Sequence, residues 1–155
     1  MRRSISSALV VCCACGGGGS AAPGVADAGF GSSRESIVAF VQHRGYSGWS
    51  ASGVRRSAGA HGGDIRVWFS DALLASSRSG AATHPVGSAA VKELLDGSGS
   101  VRGHAVMVKD ARDGWVYLEA FAPDYPNPSF FAGRRNFCAD CHAQGKDFIR
   151  SAPPE

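Results

Sequence analysis

The segment HAVMVKDARDGWVYLEAFA, residues 104–122, decides the fold because it has the pattern of two strands joined by a short turn. Apolar residues dominate His104–Lys109 and Trp115–Ala122, and the residues between them are mostly polar and end in Gly114. Two short apolar runs on either side of a glycine-containing loop are typical of a β-hairpin. We therefore expect two antiparallel strands over these residues.

Two more strands are predicted on the N-terminal side of this hairpin. Residues 64–70 alternate, so that Ile65 and Val67 share one face of the strand and Arg66 lies on the other. Residues 86–95 form the second of these strands, which a proline introduces and an Asp-Gly pair closes. Because no helical pattern separates the last three strands, we expect an antiparallel sheet.

One helix is predicted before the sheet. Ser32 or Ser33 can cap its start, the helix runs to about His43, and Gly45 ends it. Its buried stripe consists of Ile37, Val38, Phe40 and Val41. Residues 76–83 contain too few apolar side chains to predict an element. The expected fold class is α+β, mainly an antiparallel β-sheet with flanking helices.

The N-terminal residues are predicted to lie outside the folded domain. Residues 1–15 combine two arginines, a short apolar run and small residues, which is typical of an export signal. Cys15 resembles the lipidated cysteine of a bacterial lipoprotein, although Cys12 stands where leucine is usual. An ordinary cleaved signal and an unprocessed N-terminus are the alternatives. Residues 16–32 are mainly Gly, Ala and Ser and form a flexible linker. We expect a periplasmic protein that is lipid-anchored through Cys15.

The remaining residues, 33–155, are expected to form a single domain. The chain is 44% hydrophobic and 19% charged, which is the composition of a globular protein. Without Arg2 and Arg3 the formal charge falls from +3 to +1. Because the domain is nearly neutral, we expect no nucleic-acid partner and no contact with a membrane except through the lipid.

The sequence Cys138-Ala139-Asp140-Cys141-His142 is a C-x-x-C-H motif. This motif is typical of haem attachment. The two thiols add across the two vinyl groups of a haem, and the adjacent histidine reaches the iron as an axial ligand. We therefore predict one covalent haem c, attached through Cys138 and Cys141 and ligated by His142.

Other uses of this cysteine pair fit the sequence less well. A disulfide across two intervening residues would be strained and easily reduced. A zinc site needs four ligands, and residues 33–155 hold no second pair of cysteines. A thioredoxin-like pair would begin a helix after an early strand, whereas this pair is near the C-terminus.

The position of the motif bears on the second axial ligand. Only thirteen residues follow His142, and none of them is methionine or histidine. A sixth ligand would have to come from upstream, where the candidates are Met107, His43, His61, His84, His104 and Lys92. Each of these side chains has a more ordinary use in the core or on the surface. We therefore expect a five-coordinate iron with an open face, which binds or transforms small molecules.

Several stretches between His61 and Phe148 follow the pattern of a known family. They are His61–Val67, Pro85–Gly87, Val91–Leu94, Met107–Lys109, Trp115, Cys138–Ala143 and Asp147-Phe148. In these stretches the chain resembles the cytochrome P-460 and cytochrome c′-beta family. The resemblance implies a predominantly antiparallel sheet with helices and a haem held by a C-terminal motif. Members of this family commonly form dimers, so a homodimer is a further expectation.

The resemblance implies one of two activities. P-460 enzymes oxidise hydroxylamine and carry a lysine cross-linked to the haem, whereas c′-beta members lack this link and bind nitric oxide or carbon monoxide. Lys92 stands where the cross-linking lysine would be, and by alternation it shares a face with Ala90 and Leu94. The alternative is a lysine whose amine extends to solvent at the sheet edge.

The chain departs from the P-460 pattern at one position. P-460 enzymes place a carboxylate near the haem as a proton acceptor. Alignment on Val108 and Lys109 puts Ala105 at this position. Glu119 or Glu93 would have to supply the carboxylate instead. Whether the protein is a hydroxylamine-oxidising enzyme is therefore left open by the sequence.

Together, these features predict an exported mono-haem c-type cytochrome. Its iron is expected to bind or redox-transform small nitrogen-oxide ligands, such as nitric oxide and hydroxylamine. The alternative is a simple periplasmic electron-transfer cytochrome c with a sixth protein ligand, and the redox partner is not specified in either case. Arg66 is expected to pair with a haem propionate, because a guanidinium pairs well with a carboxylate. The alternative for Arg66 is a solvent-facing side chain.

The attachment motif leads to a direct prediction. Cys138→Ala and Cys141→Ala should each leave one thioether and weaken attachment, and the double substitution should abolish covalent haem. Haem staining of denaturing gels measures this, with protein from a host that attaches haem c. A double variant that still carries stain would contradict the assignment.

Overall fold

Seven β-strands and three helices occur in the part of the chain that the computed structural model describes, residues 28–57, 59–122, 125, 127–132 and 137–155. The predicted signal and the linker up to residue 27 lie outside these described residues. The last part of the predicted linker belongs to the domain, because Ala28 is buried and the Phe30 ring stacks on Phe40 at 4.1 Å between centroids. None of the helices in the described residues is both long and apolar enough to cross a membrane.

The strands form one antiparallel sheet. They are β1 (Ser50–Ala51), β2 (Arg55–Arg56), β3 (Asp64–Phe69), β4 (Ala89–Leu95), β5 (Val101–Asp110), β6 (Gly114–Phe121) and β7 (Phe130–Ala132). The helices are α1 (Arg34–Gln42), α2 (Asp71–Arg78) and α3 (Phe137–His142). The strand order is β1-β3-β4-β5-β6-β7, and β2 pairs with β3. The fold is therefore α+β with a mainly antiparallel sheet, as predicted.

The hairpin predicted from residues 104–122 is confirmed. Strands β5 and β6 pair antiparallel, and Asp110 lies opposite Gly114 at the turn. The Asp110 carboxylate accepts hydrogen bonds from the backbone N–H groups of Arg112 at 2.8 Å and Asp113 at 3.1 Å. An aspartate that bonds to the backbone two residues later stabilises a turn at low cost.

Helix α1 begins and ends where the sequence predicts, with His43 as its C-cap, but the residue that terminates it is different. Ser33 is the N-cap and accepts a hydrogen bond from the Ser36 backbone N–H at 3.2 Å. The left-handed residue after the helix is Arg44, with φ of 50°, and not Gly45. Gly45 is needed for space, because a Cβ there would lie 2.3 Å from the Phe40 ring. The prediction that Gly45 ends the helix is therefore wrong, because Gly45 makes room for the Phe40 ring and Arg44 takes the left-handed conformation.

Side chains alternate between two faces of the sheet. The helix face packs against α1 and includes Ile37, Val38 and Val41 of that helix with Val91, Val106 and Leu118 of the strands. The cleft face packs against α2 and α3 and includes Ile65, Val67, Phe69, Leu94, Met107 and Tyr117. Ile65, Val67 and Phe69 share one face as predicted, and Arg66 lies on the other. The sheet therefore separates the core on the helix face from the cleft described below, which lies on the other face.

A buried carboxylate lies on the helix face. Glu93 accepts a hydrogen bond from the Tyr46 hydroxyl at 3.0 Å, and the same hydroxyl lies 2.6 Å from His104 Nε2. Arg44 and Arg66 contact the Glu93 carboxylate at 3.3 and 3.6 Å. Burial lowers the pKa of His104 to about 4, so this imidazole is neutral at physiological pH. Glu93 Oε1, the Tyr46 hydroxyl and His104 Nε2 are thereby linked by hydrogen bonds, whereas the buried Glu93 Oε2 has only the ion-pair contact with Arg66 at 3.6 Å.

We predict that Tyr46→Phe lowers the free energy of unfolding by about 1–3 kcal/mol, because Glu93 and His104 each lose a buried hydrogen-bond partner. Urea unfolding measures this. Tyr117→Phe is the matched control, since the buried Tyr117 hydroxyl has no hydrogen-bond partner among the described residues. Equal losses in the two variants would contradict the role assigned to Tyr46.

Candidate functional site

A cleft of about 450 Å³ lies on the cleft face of the sheet. Strands β3 to β6 contribute its floor, which includes Val67, Phe69, Ala90 and Met107. Helix α3 and the chain that follows it form the opposite wall. The cleft is therefore bounded by side chains of regular strands on one side and by the cysteine motif on the other.

Helix α3 brings the three side chains of the motif to this cleft. Cys138, Cys141 and His142 all line it. They are three and four residues apart, so one helical turn puts them on the same side. The two thiols are not joined by a disulfide. Burial raises the pKa of Cys138 to about 11, so this sulfur is a neutral thiol.

The orientation of the His142 ring is set by a hydrogen bond. Its Nδ1 lies 2.9 Å from the backbone carbonyl oxygen of Phe148. A carbonyl only accepts hydrogen bonds, so Nδ1 carries the proton and donates. Burial lowers the pKa of His142, which keeps the ring neutral. The lone pair on Nε2 is then available as a metal ligand.

The carbonyl that accepts this bond lies in an unusual turn. Asp147 and Phe148 have φ angles of 43° and 68°, in the left-handed region that non-glycine residues seldom adopt. Such residues cost of the order of 1–3 kcal/mol each and persist only where the surroundings hold them. Sequence patterns do not reveal this turn.

Across the cleft, a row of side chains runs perpendicular to the strands. Lys92 on β4 lies opposite Ala105 on β5, and Ala105 lies opposite Glu119 on β6. Directly opposed residues in an antiparallel sheet share a face. All three line the cleft. The short side chain of Ala105 therefore separates an amine from a carboxylate.

Lys92 faces the apolar side, as the alternation with Ala90 and Leu94 predicts. Burial is the main reason that the pKa of Lys92 falls to about 8, and the nearby Arg55 guanidinium lowers it further. At this pKa about a tenth of the amine is uncharged at pH 7, and the uncharged amine can act as a nucleophile.

Glu119, and not Glu93, lies in the cleft. Its carboxylate is 2.7 Å from His61 Nδ1. The hydrogen bond from His61 lowers the pKa of Glu119 below its usual value, although burial opposes this shift. Glu93 and Glu119 were both possible proton acceptors from the sequence. Of these two, Glu119 lines the same cleft as the cysteine motif, and Glu93 does not.

The side chains proposed as a sixth iron ligand also divide into those that line the cleft and those that do not. His61, Met107 and Lys92 line the cleft. His104 lies in the Glu93 cluster on the opposite face, and the His84 ring is bonded through Nδ1 to the Ser76 hydroxyl at 2.7 Å. His43 is exposed after α1. His61 and Met107 are therefore the histidine and methionine that share the cleft with His142.

Arg66 does not line the cleft. It lies on the helix face, where its guanidinium is 3.6 Å from the Glu93 carboxylate. This position does not support the contact with a haem propionate that the sequence suggested for Arg66. Arg55 and Arg150 line the cleft instead. Sequence reasoning missed both, because β2 has only two residues and Arg150 follows the motif in an irregular segment.

No group of three or more His, Cys, Asp or Glu side chains in the described residues is arranged to hold a metal ion. Comparisons of the chain with protein-family models, curated proteins and solved structures gave no match.

The position of Lys92 leads to a prediction for the haem-free protein. Its amine should titrate with a midpoint near pH 8, because burial disfavours the charged form. NMR of ¹³C-methylated lysines measures the midpoint, and a Lys92→Met variant assigns the resonance. A midpoint at the ordinary value of 10.5 would mean that the amine is solvated.

Proposed function

We propose that the protein carries one haem c in the cleft between α3 and the sheet. Cys138 and Cys141 would hold it through thioether bonds, and His142 would be its axial ligand. The observation that supports this most directly is that both thiols and the imidazole line one cleft from a single helical turn. A structural cysteine pair with no ligand would not need a cavity beside it.

The cleft suits a flat and mainly apolar group. Its floor is built from Val67, Phe69 and Met107, and its volume of about 450 Å³ lies within the range of ligand pockets. His142 has its Nδ1 proton engaged by the Phe148 carbonyl, which leaves Nε2 for a metal. A bound haem supplies an iron that takes up small ligands and changes oxidation state.

The polar groups of the cleft support a reaction with small nitrogen-oxide ligands. Glu119 is ionised at neutral pH, because the hydrogen bond from His61 lowers its pKa. An ionised carboxylate within a cleft can accept a proton from a bound ligand. Glu119 lies directly opposite Ala105 on the neighbouring strand. In the alignment given above, Ala105 occupies the position at which P-460 enzymes have their carboxylate. This arrangement favours binding or redox transformation of nitric oxide or hydroxylamine.

The resemblance to the cytochrome P-460 and c′-beta family remains part of this proposal. Lys92 lines the same cleft as the motif, as a cross-link to a haem held there would require. We also propose that the protein is exported and held to a bacterial membrane through lipidated Cys15, on the pattern of residues 1–15. A homodimer and an electron-transfer partner are further parts of the proposal.

A second candidate function follows from His61 and Met107. Both line the cleft, so either side chain could close the sixth position and convert the site into an electron carrier. The bond from His61 Nδ1 to Glu119 at 2.7 Å leaves Nε2 of His61 available as a ligand, as the corresponding bond does for His142. The two functions differ in whether the iron has an open position.

Gas binding by the haem-loaded, ferrous protein tests this difference. We predict that carbon monoxide and nitric oxide each shift the Soret band of the parent protein, because the iron has an open position. His61→Leu and Met107→Leu should leave the spectrum before gas addition unchanged. If the parent does not respond but one of these variants does, the replaced side chain is the sixth ligand and the protein is an electron carrier.

A further inference from the structure

The sheet contacts the turn that orients His142 through one ion pair. Lys109, at the end of β5, places Nζ 2.5 Å from Oδ2 of Asp147. The same carboxylate oxygen accepts the backbone N–H of His84 at 2.7 Å. Both partners of the pair are largely shielded from solvent, with side-chain exposures of 16% and 11%. An ion pair in such surroundings is screened much less than one on the surface.

Asp147 is ionised when it makes these contacts. Burial alone would raise the pKa of Asp147, but the hydrogen bonds from Lys109 and His84 bring it below its ordinary value. The carboxylate therefore links a strand end, the segment before β4 and the turn after α3. Three parts of the chain that are distant in sequence meet at one oxygen atom.

Backbone hydrogen bonds also hold the turn, from the Phe148 N–H to the Gly145 carbonyl at 3.3 Å and from the Ile149 N–H to the Lys146 carbonyl at 3.0 Å. Asp147 and Phe148 both have left-handed φ angles, which the surrounding contacts must maintain. A cavity of about 230 Å³ lies directly against the turn and is lined by Lys109, Trp115, Asp147 and Phe148, among others. Phe148 packs against the cleft-face core and also borders this cavity, so the contacts of Asp147 add to packing in holding the turn.

The position of the turn also affects the His142 ring. The Phe148 carbonyl accepts the Nδ1 hydrogen bond at 2.9 Å, and Phe148 directly follows Asp147. A shift of Asp147 therefore changes the length or angle of this bond. For a metal-ligating histidine, the bond from the second ring nitrogen sets the tautomer, the ring orientation and the basicity of the ligand.

We propose that Lys109 and Asp147 are positioning residues for His142. Their ion pair holds the left-handed turn so that the Phe148 carbonyl accepts the Nδ1 proton, and it thereby tunes how strongly Nε2 donates to a haem iron. This inference rests on the proposed function, because it concerns His142 as an iron ligand. Neither residue touches the reacting atoms.

Resonance Raman spectra and redox titrations of the haem-loaded variants test the proposal. Asp147→Asn and Lys109→Met should lower the iron–histidine stretching frequency of the ferrous protein and raise its reduction potential, because a weaker Nδ1 hydrogen bond makes His142 less basic. Lys109→Arg keeps the charge and should stay close to the parent in both measurements. These readouts would not move if the pair only stabilised the fold.

Lys146→Met is the matched control, since Lys146 belongs to the same turn but donates to the Gly80 carbonyl at 2.6 Å. Parent-like frequency and potential in both Asp147→Asn and Lys109→Met would overturn the proposal, as would an equal shift in Lys146→Met. If one of the two variants does not fold, the other still decides. A parent protein without covalent haem would instead refute the proposed function.

Discussion

The alternation of side chains along strands β3 to β6 is the constraint on which both the core and the cleft depend. One residue of shift in any of these strands would exchange its two faces. In the observed register, Lys92, Ala105 and Glu119 form a row on the cleft face, while Glu93 and His104 form the neighbouring row on the helix face. The same register therefore separates a buried structural carboxylate from one that faces the cysteine motif.

The two walls of the cleft are held by different means. The sheet wall is regular, and its side chains are fixed by antiparallel pairing on both sides of β4 and β5. The wall that carries Cys138, Cys141 and His142 is a single six-residue helix followed by a turn. Helices this short are not stable by themselves. Their position must come from contacts, which here include buried Ala139 and the turn around Phe148.

The titratable side chains of the cleft come from both of its walls. His142 approaches from the helix with its Nδ1 proton engaged, and Lys92 and Glu119 approach from the sheet. The amine has a depressed pKa because it is buried, and the carboxylate has a depressed pKa because His61 donates to it. Two different causes thus lower the pKa values of an amine and a carboxylate in one cleft, and perturbed pKa values of this kind often cluster at functional sites.

Much of this arrangement could be predicted from the sequence, for local reasons. Strand β3 shows a period of two, β5 and β6 are apolar runs on either side of a glycine-containing turn, helix α1 has a serine cap, and the C-x-x-C-H motif has a fixed spacing. The short strands β1, β2 and β7 could not be predicted, because two or three residues carry no periodic signal. Arg66 illustrates a second limit of the sequence, which concerns the face of a strand that borders the motif.

Alternation placed Arg66 on the face opposite Ile65, which is correct, but a single strand does not indicate which face borders the motif. The same information was missing for Glu93 and Glu119. The pairing of β5 with β6 puts Glu119 opposite Ala105 on the cleft face. The pairing of β4 with β5 puts Glu93 opposite His104 on the helix face. Register between strands is a tertiary property, so the choice between the two glutamates required the structure.

The most direct test of the account is the absorption spectrum of the denatured protein in alkaline pyridine, after expression in a host that attaches haem c. Pyridine replaces the axial ligands, so the α-band reports only on the porphyrin and its vinyl groups. The account predicts the band of a haem with both vinyls saturated by thioether bonds, at one haem per chain. A haem b band at the longer wavelength of unmodified vinyls, or no haem band at all, would contradict it.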